Sequence, residues 1–97
     1  MITEIARFTV NEGQGPAFLQ AWRGVEHILR GAQGYVDHRL EQGIEQPDQY
    51  TLMVRWQRYE DHVEVFRGSA PYTEFRGAIA PFAARPTDVS HWRELES

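Results

Sequence analysis

Gln49-Tyr-Thr-Leu-Met-Val-Arg-Trp56 alternates, with Tyr50, Leu52, Val54 and Trp56 on one side of an extended chain and Thr51, Met53 and Arg55 on the other. Successive side chains of a strand point to opposite faces, so this period of two marks a strand with one face in a core. It is the most apolar strand pattern in the chain. Upstream, Tyr35 to Gln42 alternates as well, with Val36, His38 and Leu40 opposed to Tyr35, Asp37, Arg39 and Glu41. The polar connection Gly43 to Asp48 is short, so the two strands should pair antiparallel.

Toward the N-terminus, Phe18, Trp22, Val25 and Leu29 recur at helical spacing, with Leu19 and Ile28 beside them. They predict an amphipathic helix from about Pro16 to Arg30, with proline near its start and Gly31 to Gly34 ending it. Before it, Ile2 to Val10 reads as a strand with Ile2, Ala6, Phe8 and Val10 on one side and Thr3, Ile5, Arg7 and Thr9 on the other. Toward the C-terminus, Arg58 to Arg67 predicts a short helix carrying Tyr59, His62, Val63 and Phe66. Glu60 and Asp61 supply favourable negative charge in its first turn. Gly68 to Pro71 breaks it. Ser69 suits the cap of a further helix, Ala70 to Ile79, with Tyr72, Phe75 and Ile79 inward. Val89 to Leu95 is the last strand, Val89, His91, Arg93 and Leu95 opposing Ser90, Trp92 and Glu94.

The order is therefore β-α-β-β-α-β with a divided second helix, an α+β chain of the ferredoxin-like kind, one domain over residues 1–97. Both helices should cover one face of a four-stranded antiparallel sheet. Bulky residues fall on both strand faces: Ile5 against Phe8, Tyr35 against Leu40, Met53 against Leu52, His91 against Trp92. A solvated face should be plainly polar, so the uncovered face is expected to meet a second copy of the chain. A domain of this size has a thin core, which pairing would supplement.

Composition narrows the chemistry. There is no cysteine, which excludes a disulfide framework, thiolate metal sites and a cysteine nucleophile. Lysine is absent too, which excludes Schiff-base chemistry. The net charge is −4 and the arginines are scattered from Arg7 to Arg93, a pattern that argues against nucleic acid or an anionic membrane as partner. Glu4 and Arg7 interrupt any N-terminal apolar run, and nothing approaches the length of a membrane span, so the expected location is cytoplasmic.

Gly34-Tyr35, the Tyr50 to Trp56 strand running into an acidic short helix, Phe66-Arg-Gly-Ser69 with Tyr72 and Phe75-Arg76, and Val89-Ser-His91-Trp92, in this order and spacing, resemble the antibiotic biosynthesis monooxygenase family. That resemblance implies a dimeric α+β barrel, a homodimer whose sheets pack face to face with a pocket in each subunit between sheet and helices. It implies an oxygenase of phenolic or quinol-like aromatics that uses no metal or flavin cofactor. Other members degrade haem with an Asn, a Trp and a His; the matching positions here look like Ala6, Phe66 and Arg76, which argues against that activity.

Oxygenation without a cofactor requires a substrate that can itself give an electron to oxygen, a base titrating near neutrality, a partner for the resulting anion, and an apolar cavity. Histidine is the natural base. His62 on the short helix and His91 on the last strand are the catalytic candidates, with Arg76 to hold a phenolate or carboxylate. His38, Trp56, Phe66, Tyr72 and Phe75 are candidates for the substrate wall. Each has a plainer reading: His62 as a half-exposed helix residue, His91 as a hydrogen-bonding group at a dimer seam, His38 as a satisfied core histidine, Arg76 as a paired surface residue, the aromatics as core. Gly13-x-Gly15 lacks the third glycine of a dinucleotide loop, and Glu60-Asp61-His62 cannot converge on a metal from consecutive helical positions. The expectation is a monooxygenase acting on an electron-rich small aromatic. The alternatives are a non-catalytic ligand-binding or stress-response module, whose pocket would be filled by Trp56, Phe66 and Tyr72, or a haem-binding protein without degrading activity.

Overall fold

The computed structural model describes residues 1–96. Along the chain lie β1 (Ile2–Thr9), α1 (Gly15–Arg30), β2 (Tyr35–Gln42), β3 (Gln49–Trp56), a π turn (Asp61–Phe66), α2 (Ala70–Ile79), a 3-10 turn (Ala80–Phe82) and β4 (Asp88–Arg93). The strands form one antiparallel sheet in the order β2-β3-β1-β4, the ferredoxin-like arrangement expected from the sequence. β1 and β3 are therefore central, and the residues they turn toward the helices form the floor of the interior.

One face of the sheet is covered. α1 buries Phe18, Trp22, Val25, Ile28 and Leu29, and α2 buries Phe75. Trp56, Phe18 and Val54 are completely inaccessible. Burying an apolar side chain of this size contributes roughly 1.5–3 kcal/mol, so the predicted stripe of α1 accounts for much of the helix's stability. Ser69 caps α2 as expected, its Oγ accepting the Tyr72 N–H at 3.3 Å.

Three local features depart from the sequence reading. The helix expected over Arg58 to Arg67 is a π turn of six residues, in which the Arg67 N–H donates to the His62 carbonyl at 3.1 Å. Asp61 is not a solvated first-turn carboxylate. It is buried, accepting from Gln33 Nε2 at 3.1 Å and from Arg58 Nη2 at 2.9 Å. It presses on Gly34, whose φ of +78° and lack of a Cβ permit the contact; a Cβ there would lie 2.0 Å from Asp61 Oδ2. In β2, the register shifts between Tyr35 and Asp37, so Tyr35 lies opposite Trp56 and joins His38 and Leu40 on the helix side. A bulge adds one residue and reverses the facing of what precedes it, which strict alternation could not anticipate.

The uncovered face loses Tyr35 for this reason. It retains Ile5 between Met53 and Ser90, with Trp92 57% exposed beyond Thr3. Around them stand Thr51, Arg7 and the Asp37–Arg55 ion pair, and Arg39 Nε donates to Met53 Sδ at 3.4 Å. No helix among the described residues is long and apolar enough to cross a membrane.

Candidate functional site

β1 places a carboxyl group in the interior. Glu4 belongs to the inward-facing register of Ala6, Phe8 and Val10 and is 7% exposed. It lies opposite Val54 on β3 and His91 on β4. Trp56 Nε1 donates to Glu4 Oε1 at 3.0 Å, and His62 Nε2 lies 3.4 Å from the same oxygen. On its other side, His62 Nδ1 is 2.8 Å from His91 Nε2. Glu4, His62 and His91 thus form a continuous row from the sheet centre outward. The row is packed by aromatic rings: Trp56 stacks on His62 at 5.2 Å between centroids, and Tyr59 meets His91 edge-on at 4.9 Å.

The π turn makes this row. An i→i−5 turn is wider than an α turn, and here both His62 and Phe66, four residues apart, are buried. Asp61 anchors the turn to the residues before β2, and the Arg58 guanidinium, then the Gln33 amide, hold its carboxyl below the usual carboxylate range.

Burial sets the charge states. Desolvation pushes the Glu4 carboxyl up to about 7, against the opposing effects of the Trp56 hydrogen bond and the Arg67 charge. It pushes His62 down to about 3, with Arg67 and His91 adding to the effect. His91 is lowered as well, by burial and then by Arg67. Both charged forms are disfavoured in this interior, so below neutrality the pair rests as a protonated carboxyl beside a neutral imidazole.

Glu4 and His62 open onto a cavity of about 440 Å³ between the sheet and the helices. Ala6 and Phe8 of β1, Leu52 and Val54 of β3, and Val89 of β4 line its floor. Trp22, Leu29, Phe66, Tyr72, Phe75 and Ile79 form the helical wall. Arg67, Arg76 and Arg85 contribute to the lining from three separate segments, and all three are exposed.

Of the residues singled out in the sequence, His62, Arg76, Phe66, Tyr72 and Phe75 line this cavity. His62 is buried, not half-exposed. His91 does not line it but stands one hydrogen bond behind, through His62 within the same chain. Trp56 is fully buried and does not line the cavity itself, but it stacks on His62 and donates to Glu4 from behind the lining. His38 lies elsewhere. Its Nε2 is 2.7 Å from Glu26 Oε2, its Nδ1 2.6 Å from the Tyr35 hydroxyl, and its ring meets Trp22 edge-on. Sequence reasoning missed Glu4, Arg67 and Arg85. The signal for Glu4 was its even register in β1, a charged residue in line with Ala6, Phe8 and Val10.

Comparison with known proteins agrees with this architecture. The family model for antibiotic biosynthesis monooxygenases matches residues 1–78. YczJ, an uncharacterized protein of Bacillus subtilis (strain 168), is 34% identical over 95 residues, covering 98% of this chain and all of that one. A Bordetella bronchiseptica crystal structure named for the same family superposes with a TM-score of 0.93 at 30% identity, covering 98% of this chain and 97% of the other. SnoaB, a cofactor-independent oxygenase from Streptomyces nogalater, superposes with a TM-score of 0.83 over 99% of this chain and 94% of its own, at 14% identity, a likeness of fold alone. The chain belongs to the antibiotic biosynthesis monooxygenase family.

Proposed function

We propose that this protein is a cofactor-independent monooxygenase that oxidises an electron-rich aromatic, phenolic or quinol-like, in the cavity between sheet and helices. The observation that carries the reading is Glu4: a carboxyl group on the floor of an apolar cavity, shifted by burial to about 7, with His62 Nε2 3.4 Å away and His62 in turn hydrogen-bonded to His91. Membership of the family supports it, as does the likeness of fold to a cofactor-independent oxygenase.

Near neutral pH about half of Glu4 is ionised, given a pKa of about 7. The carboxylate takes a proton from the substrate and leaves an electron-rich anion, whose charge Arg76 in the cavity lining helps to balance. The anion passes one electron to molecular oxygen, and the radical pair recombines to a peroxide anion, which takes up a proton from solvent to become a hydroperoxide. Loss of water from a CH–OOH centre leaves a carbonyl, so a CH₂ group becomes C=O, one oxygen atom enters the product and the other departs as water. The Glu4 proton leaves along the row. His62 Nε2 accepts it while His62 Nδ1 gives its own proton to His91 Nε2, and the half-buried His91 releases it toward solvent. The apolar walls strengthen the electrostatics of the site by excluding water.

The working unit in this proposal is a homodimer joined through the uncovered sheet face, where Ile5, Met53 and Trp92 lie within a polar rim. A non-catalytic module would be expected to fill its interior, yet Trp56 lies beneath the floor and Phe66 and Tyr72 leave the cavity open. His62 is poorly disposed as a haem ligand, since His91 and Glu4 engage both ring nitrogens.

The test is oxygen consumption with a panel of dihydroxynaphthalene-type quinols. Wild-type protein should exceed the uncatalysed rate on at least one of them, and Glu4→Gln should lower turnover by about 10²–10⁴-fold. A panel that shows only background, or a Glu4→Gln variant as fast as wild type, would overturn the proposal.

A further inference from the structure

We infer that the ligand of this cavity is an aromatic carboxylate, held by an anion subsite that Arg67, Arg76 and Arg85 form at the cavity mouth. The inference rests on the proposed function for the aromatic body and goes beyond it in naming the acidic group. Arg67 follows the π turn, Arg76 sits on α2 and Arg85 on the loop before β4, so three distant segments each contribute an arginine to the lining of one cavity. Of the seven other arginines, Arg30, Arg39, Arg55 and Arg58 have the carboxylate partners Glu26, Glu41, Asp37 and Asp61, and Arg7, Arg23 and Arg93 have none among the described residues but do not border the cavity. Among the described residues, Arg67, Arg76 and Arg85 have no carboxylate within 4.0 Å. The one acidic side chain in the lining is Glu4, deep in the floor and mainly protonated below neutrality.

A chain of net charge −4 thus concentrates positive charge at the opening of an otherwise apolar cavity. Such an opening draws anions toward it, and a guanidinium matches a carboxylate with two parallel hydrogen bonds. The complementary ligand is amphipathic: a flat apolar body against Phe8, Leu52 and Phe75, and a carboxylate at the arginines. Its hydroxyl would then be directed toward Glu4 on the floor. Because the arginines are exposed before binding, they meet solvent rather than an unpaired burial cost.

Equilibrium binding tests this apart from turnover. Naphthalene-2-carboxylate and its methyl ester lack an oxidisable hydroxyl, and their binding can be followed by the fluorescence of Trp22 in the cavity wall. The carboxylate should bind at least about tenfold more tightly than the ester at low salt, with the preference shrinking as salt rises. A combined Arg67→Gln, Arg76→Gln, Arg85→Gln variant should bring the preference close to unity while ester affinity stays unchanged, which also reports that the fold is intact. Equal binding of ester and acid, a preference that survives the triple substitution, or equally tight binding of the linear undecanoate would each overturn the assignment. Because no step of oxidation is involved, a silent oxygen-uptake panel and a lost carboxylate preference are separate results.

Discussion

His62 Nδ1 and His91 Nε2 stand 2.8 Å apart, although the residues come from a turn and a strand separated by the whole of α2. Neither ring favours a positive charge, because burial and the nearby Arg67 lower both. One ring therefore donates and the other accepts, and a proton arriving from Glu4 can cross the pair by exchange of tautomers. His91→Phe should keep the edge-on packing with Tyr59 while ending that exchange. Turnover should fall about tenfold or more with KM little changed. His91→Gln, which can still accept and donate, should recover part of it. Stopped-flow turnover with one quinol checks this, and a His91→Phe enzyme of wild-type kcat would remove the relay.

The buried carboxyl has a consequence for stability. Glu4 titrates at about 7 folded against an ordinary 4.5, so between these values the folded state binds the extra proton and stability falls as pH rises. His62 acts oppositely. Its proton is bound only by the unfolded chain between about 3 and 6.5, so its contribution rises with pH over that window. The two slopes largely cancel between 4.5 and 6.5. Glu4→Gln removes the falling component alone, and the variant should gain on wild type by up to about 3 kcal/mol between pH 4.5 and pH 7. Denaturant melts at four pH values would show it. A difference independent of pH would mean Glu4 is not perturbed.

Gly34→Ala should destabilise by at least about 2 kcal/mol, since the residue needs a positive φ and its Cβ would overlap the Asp61 carboxyl. The π turn should loosen first, so hydrogen exchange at the Arg67 amide should accelerate more than exchange in β3. Equal acceleration throughout would show that the Asp61 contact does not specifically hold the turn.

His38 offers a control for the location of the site. His38→Phe leaves Glu26 and the Tyr35 hydroxyl without their shared partner, at a cost of about 1–3 kcal/mol. Affinity for aromatic ligands should not change, because His38 does not border the cavity. A large loss of affinity with unaltered thermal stability would place the ligand elsewhere.

Met53→Arg on the uncovered face should shift the protein from a dimer toward a monomer of 11.3 kDa. It sets a charge beside Ile5 where two apolar patches are proposed to meet. Sedimentation velocity at several concentrations decides it. A wild-type monomer at high concentration would end the dimer proposal at once.

Much of the architecture was legible because it depends on local period. The face of α1, the alternation of β3 and the Ser69 cap each follow from residues within a few positions of one another. The Tyr35 facing was not, since a bulge shifts register without changing composition. Nor was the π turn, which keeps the apolar and aromatic pattern of a short helix while winding more widely. Among site residues, Phe66, Tyr72, Phe75, Arg76 and His62 could be picked from the sequence because inward-facing aromatics and ionisable groups on short helices stand out. Glu4 was missed although it shares a register with Ala6, Phe8 and Val10, because a glutamate in a strand reads as surface until its neighbours are known.

The sequence alone determined the order of elements, the face each long element buries and the absence of cysteine and lysine chemistry, all properties of short-range pattern and composition. Only the tertiary structure decided that Glu4, His62 and His91 form one row and that Arg67, Arg76 and Arg85 line one cavity. Charge states and pockets arise from desolvation and from contacts between segments far apart in the chain, and no local pattern encodes either.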